Sequence, residues 1–304
     1  MGKVVPFLEN ATGRRPAAAI FLSGGGSNAE RLLRHGREAG GAAGYRVAVL
    51  VTDNPEGSRA RGLAAEFGIP LIENDIRAFY RRHGEARVAI GTPAGRQLRE
   101  AWTDELRAAL QPFAPDFGIL AGFVPLTNLT GDFPCLNVHP GDLTYLKDGR
   151  RHLVGLHTLP IERAILEGLD ALRSSVIIAQ PYTGSGDNMD SGPVLGLSEE
   201  VPVDLGGLPL ERLRELAAAR PALRPPGGYG DELEAVARHH QEALKQGGDW
   251  VVFPPAVGDF ALGRFAHKVV EWLLYRLAGD WHPIETVIYG HTTRELVFRE
   301  EAAP

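Results

Sequence analysis

The run Cys135-Leu136-Asn137-Val138-His139-Pro140 sets an amide and an imidazole two positions apart, alternating with Leu136 and Val138. That is the period of a β-strand. It predicts Asn137 and His139 on one face and the apolar side chains on the other. Pro140 ends the run, so both polar groups emerge together at a strand end. A side-chain amide can donate to an oxygen that gains negative charge, and an imidazole can carry a proton near neutral pH. The same pair could equally be two hydrogen-bonded residues at a turn. The apolar run 117–123 just upstream predicts a buried strand.

A second constellation lies near the start. Residues 17–22 are apolar and read as a strand, Ser23-Gly24-Gly25-Gly26-Ser27-Asn28 follows at once, and residues 29–37 carry helix formers. Strand, glycine turn and helix form a setting for an anion, because glycines let the backbone close in and a helix start supplies donors. The turn lacks the Gly-Lys-Ser/Thr of a Walker A loop, and across the six residues 23–28 Ser23 and Asn28 stand where a dinucleotide motif has its first and last glycines. The other reading is a tight turn with Ser27 as a helix cap. Further along, the Gly/Asp/Ser-rich segment 181–193 carries Asp190 and is long enough to suggest function, although Asp190 before Ser191-Gly192 also suits a simple turn.

The elements that would position these groups follow a βαβ rhythm: strands at 46–51 and 68–72, helices at 58–67 and 93–110, then the strands at 117–121 and 135–139. Thr92-Pro93 is a helix start, and Leu98, Trp102, Leu106 and Leu110 recur on one face with Arg99 beside them. A helix at 158–166, a plausible hairpin of 174–180 with 194–197, and helices at 210–219 and 231–246 follow. Pro254-Pro255 is read as opening a C-terminal region. Residues 265–277 are read as a helix and 286–298 as a terminal hairpin. Residues 1–16 read as a loose leader, 17–225 as a core domain, and 226–304 as a C-terminal helical extension with a hairpin packed on the core.

Composition narrows the class. The chain has 304 residues, 44% hydrophobic and 23% charged, as expected of a globular protein. A net charge of −6 argues against nucleic acid as the main partner. Cys135 is the single cysteine, which excludes an intrachain disulfide and a cysteine-rich metal site. No apolar stretch is long enough for a membrane span, and the cytoplasm is the expected location.

Taken together, the motifs resemble the folate-dependent formyltransferases, especially those acting on phosphoribosylglycinamide in purine synthesis. The resemblance runs from about residue 17 through the 231–257 segment. It rests on the glycine turn, on Leu136-Asn137-Val138-His139-Pro140, on Gly155-Leu156-His157-Thr158 and on Met189-Asp190-Ser191-Gly192-Pro193-Val194. It implies a three-layer α/β sandwich with a mostly parallel, Rossmann-like sheet, and 10-formyltetrahydrofolate as co-substrate. It implies Asn137, His139 and Asp190 as catalytic residues, and Phe123, Val124, Leu126, Asp187 and Met189 on the folate side. The acceptor side would hold Gly24, Gly25, Gly26, Ser27, Asn28, Arg99, His157 and Glu242. No metal is required. The expected partner is a small-molecule amine, phosphorylated or not, and the chain a monomer or homodimer. Hydrolysis of the formyl-folate, transfer to another amine such as an amino sugar, and folate or nucleotide binding without catalysis are the alternatives. The chain departs from the usual pattern at Val124-Pro125, at Leu172-Arg173-Ser174-Ser175, in the length of the loop before Asp190, and in Arg150, Arg151 and His152 ahead of His157.

Overall fold

The structure is a computed structural model and describes residues 3–9, 14–156, 158–182, 189–268 and 272–299. Twelve strands join one sheet. They are β1 (Val4–Pro6), β2 (Ala17–Phe21), β3 (Arg46–Thr52), β4 (Leu71–Glu73), β5 (Phe117–Leu120), β6 (Cys135–His139), β7 (Ser175–Ile178), β8 (Val194–Ser198), β9 (Phe265–Lys268), β10 (Trp272–Leu277), β11 (Asp280–Tyr289) and β12 (Arg294–Phe298). The order is β1-β9-β10-β11-β8-β7-β6-β5-β2-β3-β4, with β12 also paired to β11. Strands β4, β3, β2, β5 and β6 run parallel, and β7 turns antiparallel against β6. Every residue of β2 has no exposure, which a parallel strand shows when helices cover both faces.

The helices are α1 (Ser27–Ala39), α2 (Ala60–Phe67), α3 (Ile76–Arg82), α4 (Pro93–Leu110), α5 (Leu159–Glu167), α6 (Leu210–Ala219), α7 (Glu232–Leu244) and α8 (Trp250–Ala261). Helices α1, α2 and α8 cover one face through Leu32, Leu63 and Phe253. Helices α3 and α4 cover the other through Phe79, Trp102 and Leu106. This is the three-layer α/β sandwich that the βαβ rhythm predicts. Helices α5, α6 and α7 pack around a separate small core of Ile161, Leu213 and Leu233. Among the described residues, no helix is long and apolar enough to cross a membrane.

Three expectations are corrected. Residues 265–277 are not a helix: β9 and β10 form an antiparallel pair, with Phe265 opposite Tyr275. Phe265, Leu273 and Leu277 do recur at multiples of four, but short apolar runs do not separate helix from strand by period. The aromatic residues Phe265, Trp272 and Tyr275 favour strands, and β11 offers an open ladder. Residues 1–16 are not all a loose leader, because Val4–Pro6 pairs with β9 at the sheet edge. Pro254 and Pro255 do not begin a new region but lie inside α8. Burial of Val252, Phe253, Val257 and Phe260 against the sheet offsets roughly 3 kcal/mol of helix propensity per proline.

The C-terminal strands are tied to α8 by one carboxylate. Asp259, 2% exposed, accepts hydrogen bonds from the hydroxyls of Tyr275 (2.9 Å) and Tyr289 (2.8 Å) and pairs with Arg264 (2.7 Å) and Arg294 (2.9 Å). Asp259→Ala leaves two cations and two buried hydroxyls unmatched. It should lower the unfolding free energy in urea by about 3–5 kcal/mol. A midpoint within error of wild type would show that the strands are held by packing alone.

Candidate active site

The site is built at the C-terminal ends of the parallel strands, starting from β6. Asn137 and His139 share a face of β6, opposite Ile177 and Ser175 of β7. His139 is 4% exposed. Its Nε2 lies 2.7 Å from the carbonyl oxygen of Leu153, which can only accept, so Nε2 carries a proton. In the neutral ring Nδ1 is therefore the bare nitrogen. Nδ1 faces the Asp190 carboxylate at 3.9 Å. Burial pushes the imidazole below its ordinary value, while the Asp190 charge and the Leu153 carbonyl oppose that shift. The result is a neutral base whose vacant nitrogen points at a carboxylate ready to accept a proton with it. Asn137 is half-buried on the same face, and its amide makes no hydrogen bond with another described residue.

Asp190 is held by its backbone. It sits in the turn Met189–Ser191, and a Cβ on Gly192 would lie 1.8 Å from the Ile178 carbonyl oxygen, so only glycine lets the turn lie against β7. The Arg151 guanidinium donates to the Asp190 carbonyl oxygen and, at 2.8 Å, to that of Gly192. Arg151 reaches the turn from a short hairpin, Leu146–Lys147 with Arg150–Arg151. In the sequence it is one of three basic residues in a divergent loop, and nothing there marks it as the clamp.

The glycine turn leaves β2 and enters α1. Gly26 occupies the helix cap position at φ 66°, and a side chain there would meet Leu22 Cδ1 at 2.9 Å. Ser27 is the first helical residue and is not the cap. Gly24 and Gly25 differ from Gly26: a Cβ on either meets nothing within 4 Å. The amides that open α1 ahead of Glu30, whose own N–H bonds the Gly26 carbonyl at 2.8 Å, have no acceptor within the helix. Asn28 donates from Nδ2 to Asp249 Oδ2 at 2.9 Å, and Ser174 donates to Asp249 Oδ1 at 2.6 Å. Asp249 ends a π-helical turn, Lys245–Asp249, that joins α7 to α8. A Cβ on Gly248 would come within 2.5 Å of Ser174 Oγ, so this glycine admits the close approach. Burial raises the Asp249 carboxyl against the pull of these two hydrogen bonds. The sequence signal for it was a carboxylate after Gly247-Gly248 and directly ahead of an apolar helix.

The folate-side expectations fall on the segment after β5. Phe123 stacks on Trp102 at 6.3 Å and meets Phe21 edge-on at 5.3 Å. Val124 is 59% exposed, and its amide donates to Ser23 Oγ at 2.9 Å. Ser23 donates in turn to the buried Asp53 at 2.5 Å. Met189 packs into the same apolar cluster as Phe123 and Leu126. Arg99 is buried beneath this segment, 5% exposed, with Nη1 donating to the Leu126 carbonyl at 2.8 Å and the guanidinium near the Tyr80 and Trp102 rings. It supports the segment after β5 from below. Glu242 lies on an exposed face of α7, paired with Lys245 and Gln246, and is not brought to the other residues. His157 and Asp187 lie outside the described residues. No group of three or more His, Cys, Asp or Glu suited to a metal occurs among the described residues.

The sequence matches no protein-family model and no curated protein sequence. The fold does match solved structures. Glycinamide ribonucleotide transformylase 1 from Symbiobacterium toebii superposes with a TM-score of 0.53 at 22% identity, over 86% of this chain and 95% of that one. Phosphoribosylglycinamide formyltransferase from Coxiella burnetii gives 0.55 at 15% identity, over 88% and 96%. The enzyme of that name from Anaplasma phagocytophilum gives 0.54 at 17%, over 90% and 99%. The chain has the formyltransferase fold, and the match extends along nearly the full length of those proteins.

Two measurements probe this geometry. In an NMR titration, His139 should titrate below the ordinary imidazole range, and Asp190→Asn should lower it further by removing the charge that favours the imidazolium. The unfolded chain then binds the extra proton first as pH falls, so His139 costs stability in the window between its folded value and the ordinary one. A midpoint that does not move in Asp190→Asn would separate the two groups. For the turn, Gly25→Val should leave the melting temperature near wild type. Gly26→Val should depress it, because the left-handed backbone and Leu22 oppose a side chain. Equal losses would show that both glycines serve packing.

Proposed function

We propose that the chain transfers a formyl group from 10-formyltetrahydrofolate to a primary amine, phosphoribosylglycinamide being the acceptor this reading favours. The observation that carries it is the fixed tautomer of His139, whose unprotonated Nδ1 is turned to Asp190 beside the Asn137 amide. As the amine nitrogen bonds to the formyl carbon, the carbonyl oxygen becomes an oxyanion and the nitrogen must lose a proton. Asn137 donates to that oxygen. His139 and Asp190 take the proton together, directly or through one water, and the imidazolium so formed adds positive charge near the oxyanion. The same proton is then available to the nitrogen that leaves as the carbon–nitrogen bond to folate breaks. Phe123, Val124, Leu126 and Met189 line the folate side in this reading, with Arg99 as a positioning residue beneath them. The amides of Gly24, Gly25, Gly26, Ser27 and Asn28 would take the acceptor's phosphate. Asp249 fixes Asn28 for that task.

The test is single-turnover formyl transfer with purified full-length chain. Asn137→Ala, His139→Ala and Asp190→Ala should each slow the chemical step about a hundredfold, the size of one lost oxyanion donor at roughly 3 kcal/mol. Folate binding should persist. His139→Ala/Asp190→Ala should be little worse than either single change, because one intermediate uses both. Rates near wild type in the single variants would mean a binding protein on this fold. Formyl release with water alone, unaffected by amines, would keep the chemistry and overturn the acceptor.

A further inference from the structure

We propose that the cavity on the far side of the Asp190 turn is a second binding site, for a monocarboxylate carried on an apolar, preferably aromatic, framework. The cavity exists because of how β11 is paired. On the edge away from β12, its first half, through Ile284, pairs with β10, and its second half, from Val287, pairs with β8. Glu285 falls at the step between the two partners. Where β10 and β8 both begin, the sheet leaves a hollow of about 760 Å³, large enough for a small metabolite.

Its lining has a consistent chemistry. Arg151 and His267 supply donor groups, Glu285 is the one carboxylate among the described lining residues, and Trp272 forms a flat apolar wall. The N-terminal segment closes one side, where the Phe7 and His267 rings lie 5.2 Å apart and tilted by 33°. The Arg299 guanidinium lies 5.1 Å from the Trp272 ring centre. Arg151 is part-buried; its guanidinium donates to the carbonyls of Asp190 and Gly192, and the nearby Asp190 charge favours it without a hydrogen bond to that carboxylate among the described residues. The guanidinium keeps further N–H groups beyond those two bonds, in the fork that suits a planar carboxylate. A singly charged group fits better than a phosphate, which would bring a second negative charge toward Glu285. Because Arg151 also holds the Asp190 turn, a carboxylate docked on it completes the guanidinium's contacts and steadies the turn.

The site is independent of the formyl-transfer reading and is tested by binding alone. 3-Phenylpropionate titrated into the full-length chain by calorimetry should bind with a dissociation constant on the order of 1 mM. 3-Phenylpropanamide and phenyl phosphate should each bind at least roughly tenfold more weakly, the amide for loss of the charge-assisted pair. Trp272→Ala should weaken the acid, and the exposed Glu285→Gln should tighten it while leaving the fold intact. Tetrahydrofolate at saturation should leave the acid's binding in place. Equal binding of acid and amide, tighter binding of the phosphate, no change in Glu285→Gln, or displacement by tetrahydrofolate would each overturn the assignment.

Discussion

The interaction on which the site depends is the hydrogen bond from His139 Nε2 to the Leu153 carbonyl. It decides which nitrogen is vacant, and therefore what Asp190 can do. The carbonyl is itself fixed from both sides of its loop. Ser175 Oγ accepts from the Leu143 amide at 2.9 Å and donates to the Gly141 carbonyl at 2.7 Å. Arg163 donates to the carbonyls of His152 and Val154 at 3.0 and 2.8 Å. Ser175 is also the residue paired with His139 across the sheet. One strand register thus sets the imidazole and the loop that orients it. Loss of the bond would leave a buried N–H and a buried C=O unmatched, about 1–3 kcal/mol for each, which is why the tautomer is not left to chance.

The loops at the ends of the strands have no ladder to hold them, and buried carboxylates take over that task. Asp53 accepts from Ser23, whose oxygen accepts from Val124, so the glycine turn and the segment after β5 are joined through one hydroxyl. Asp249 accepts from Asn28 and Ser174, so α1, the start of β7 and α8 meet at one carboxylate. Burial raises both acids, and the hydrogen bonds they accept work against that rise. Bonds to a charged acceptor are stronger than neutral ones, which suits a junction with few other contacts.

Much of this was legible in the sequence because it rests on local patterns. The alternation at 135–139 gave the shared face of Asn137 and His139, and Thr92-Pro93 gave the start of α4, where Thr92 caps Gly95 at 3.1 Å. What the sequence concealed is what folding brings together over long separations. Asn28 and Asp249 are adjacent only through the π-helical turn, and that turn has no propensity signature. The resemblance placed Glu242 on the acceptor side, and a one-dimensional match cannot show that it faces outward on α7. Arg99 was expected on the acceptor side, and a helical period cannot show that it is buried with the 126 carbonyl above it. The strands β9 and β10 were hidden because their apolar residues also fit a helical period, and only the open edge of β11 decides between the two.

Under the proposed function, the glycines of the turn bear on transfer versus hydrolysis more directly than the amide, imidazole and carboxylate do. Asn137, His139 and Asp190 would serve either acceptor, since water and an amine both generate an oxyanion and release a proton. Gly26 has a structural reason to be glycine, its positive φ and the approach of Leu22. Gly24 and Gly25 have none: neither has a positive φ and neither would strike the protein with a side chain. Glycine at such positions costs roughly 0.5–1 kcal/mol of backbone entropy relative to alanine, with no packing gain in return. The room beside them is open, at the start of α1. A water acceptor has no use for that room. Under the proposed function an acceptor with an anionic group would use it, since a helix start favours an anion.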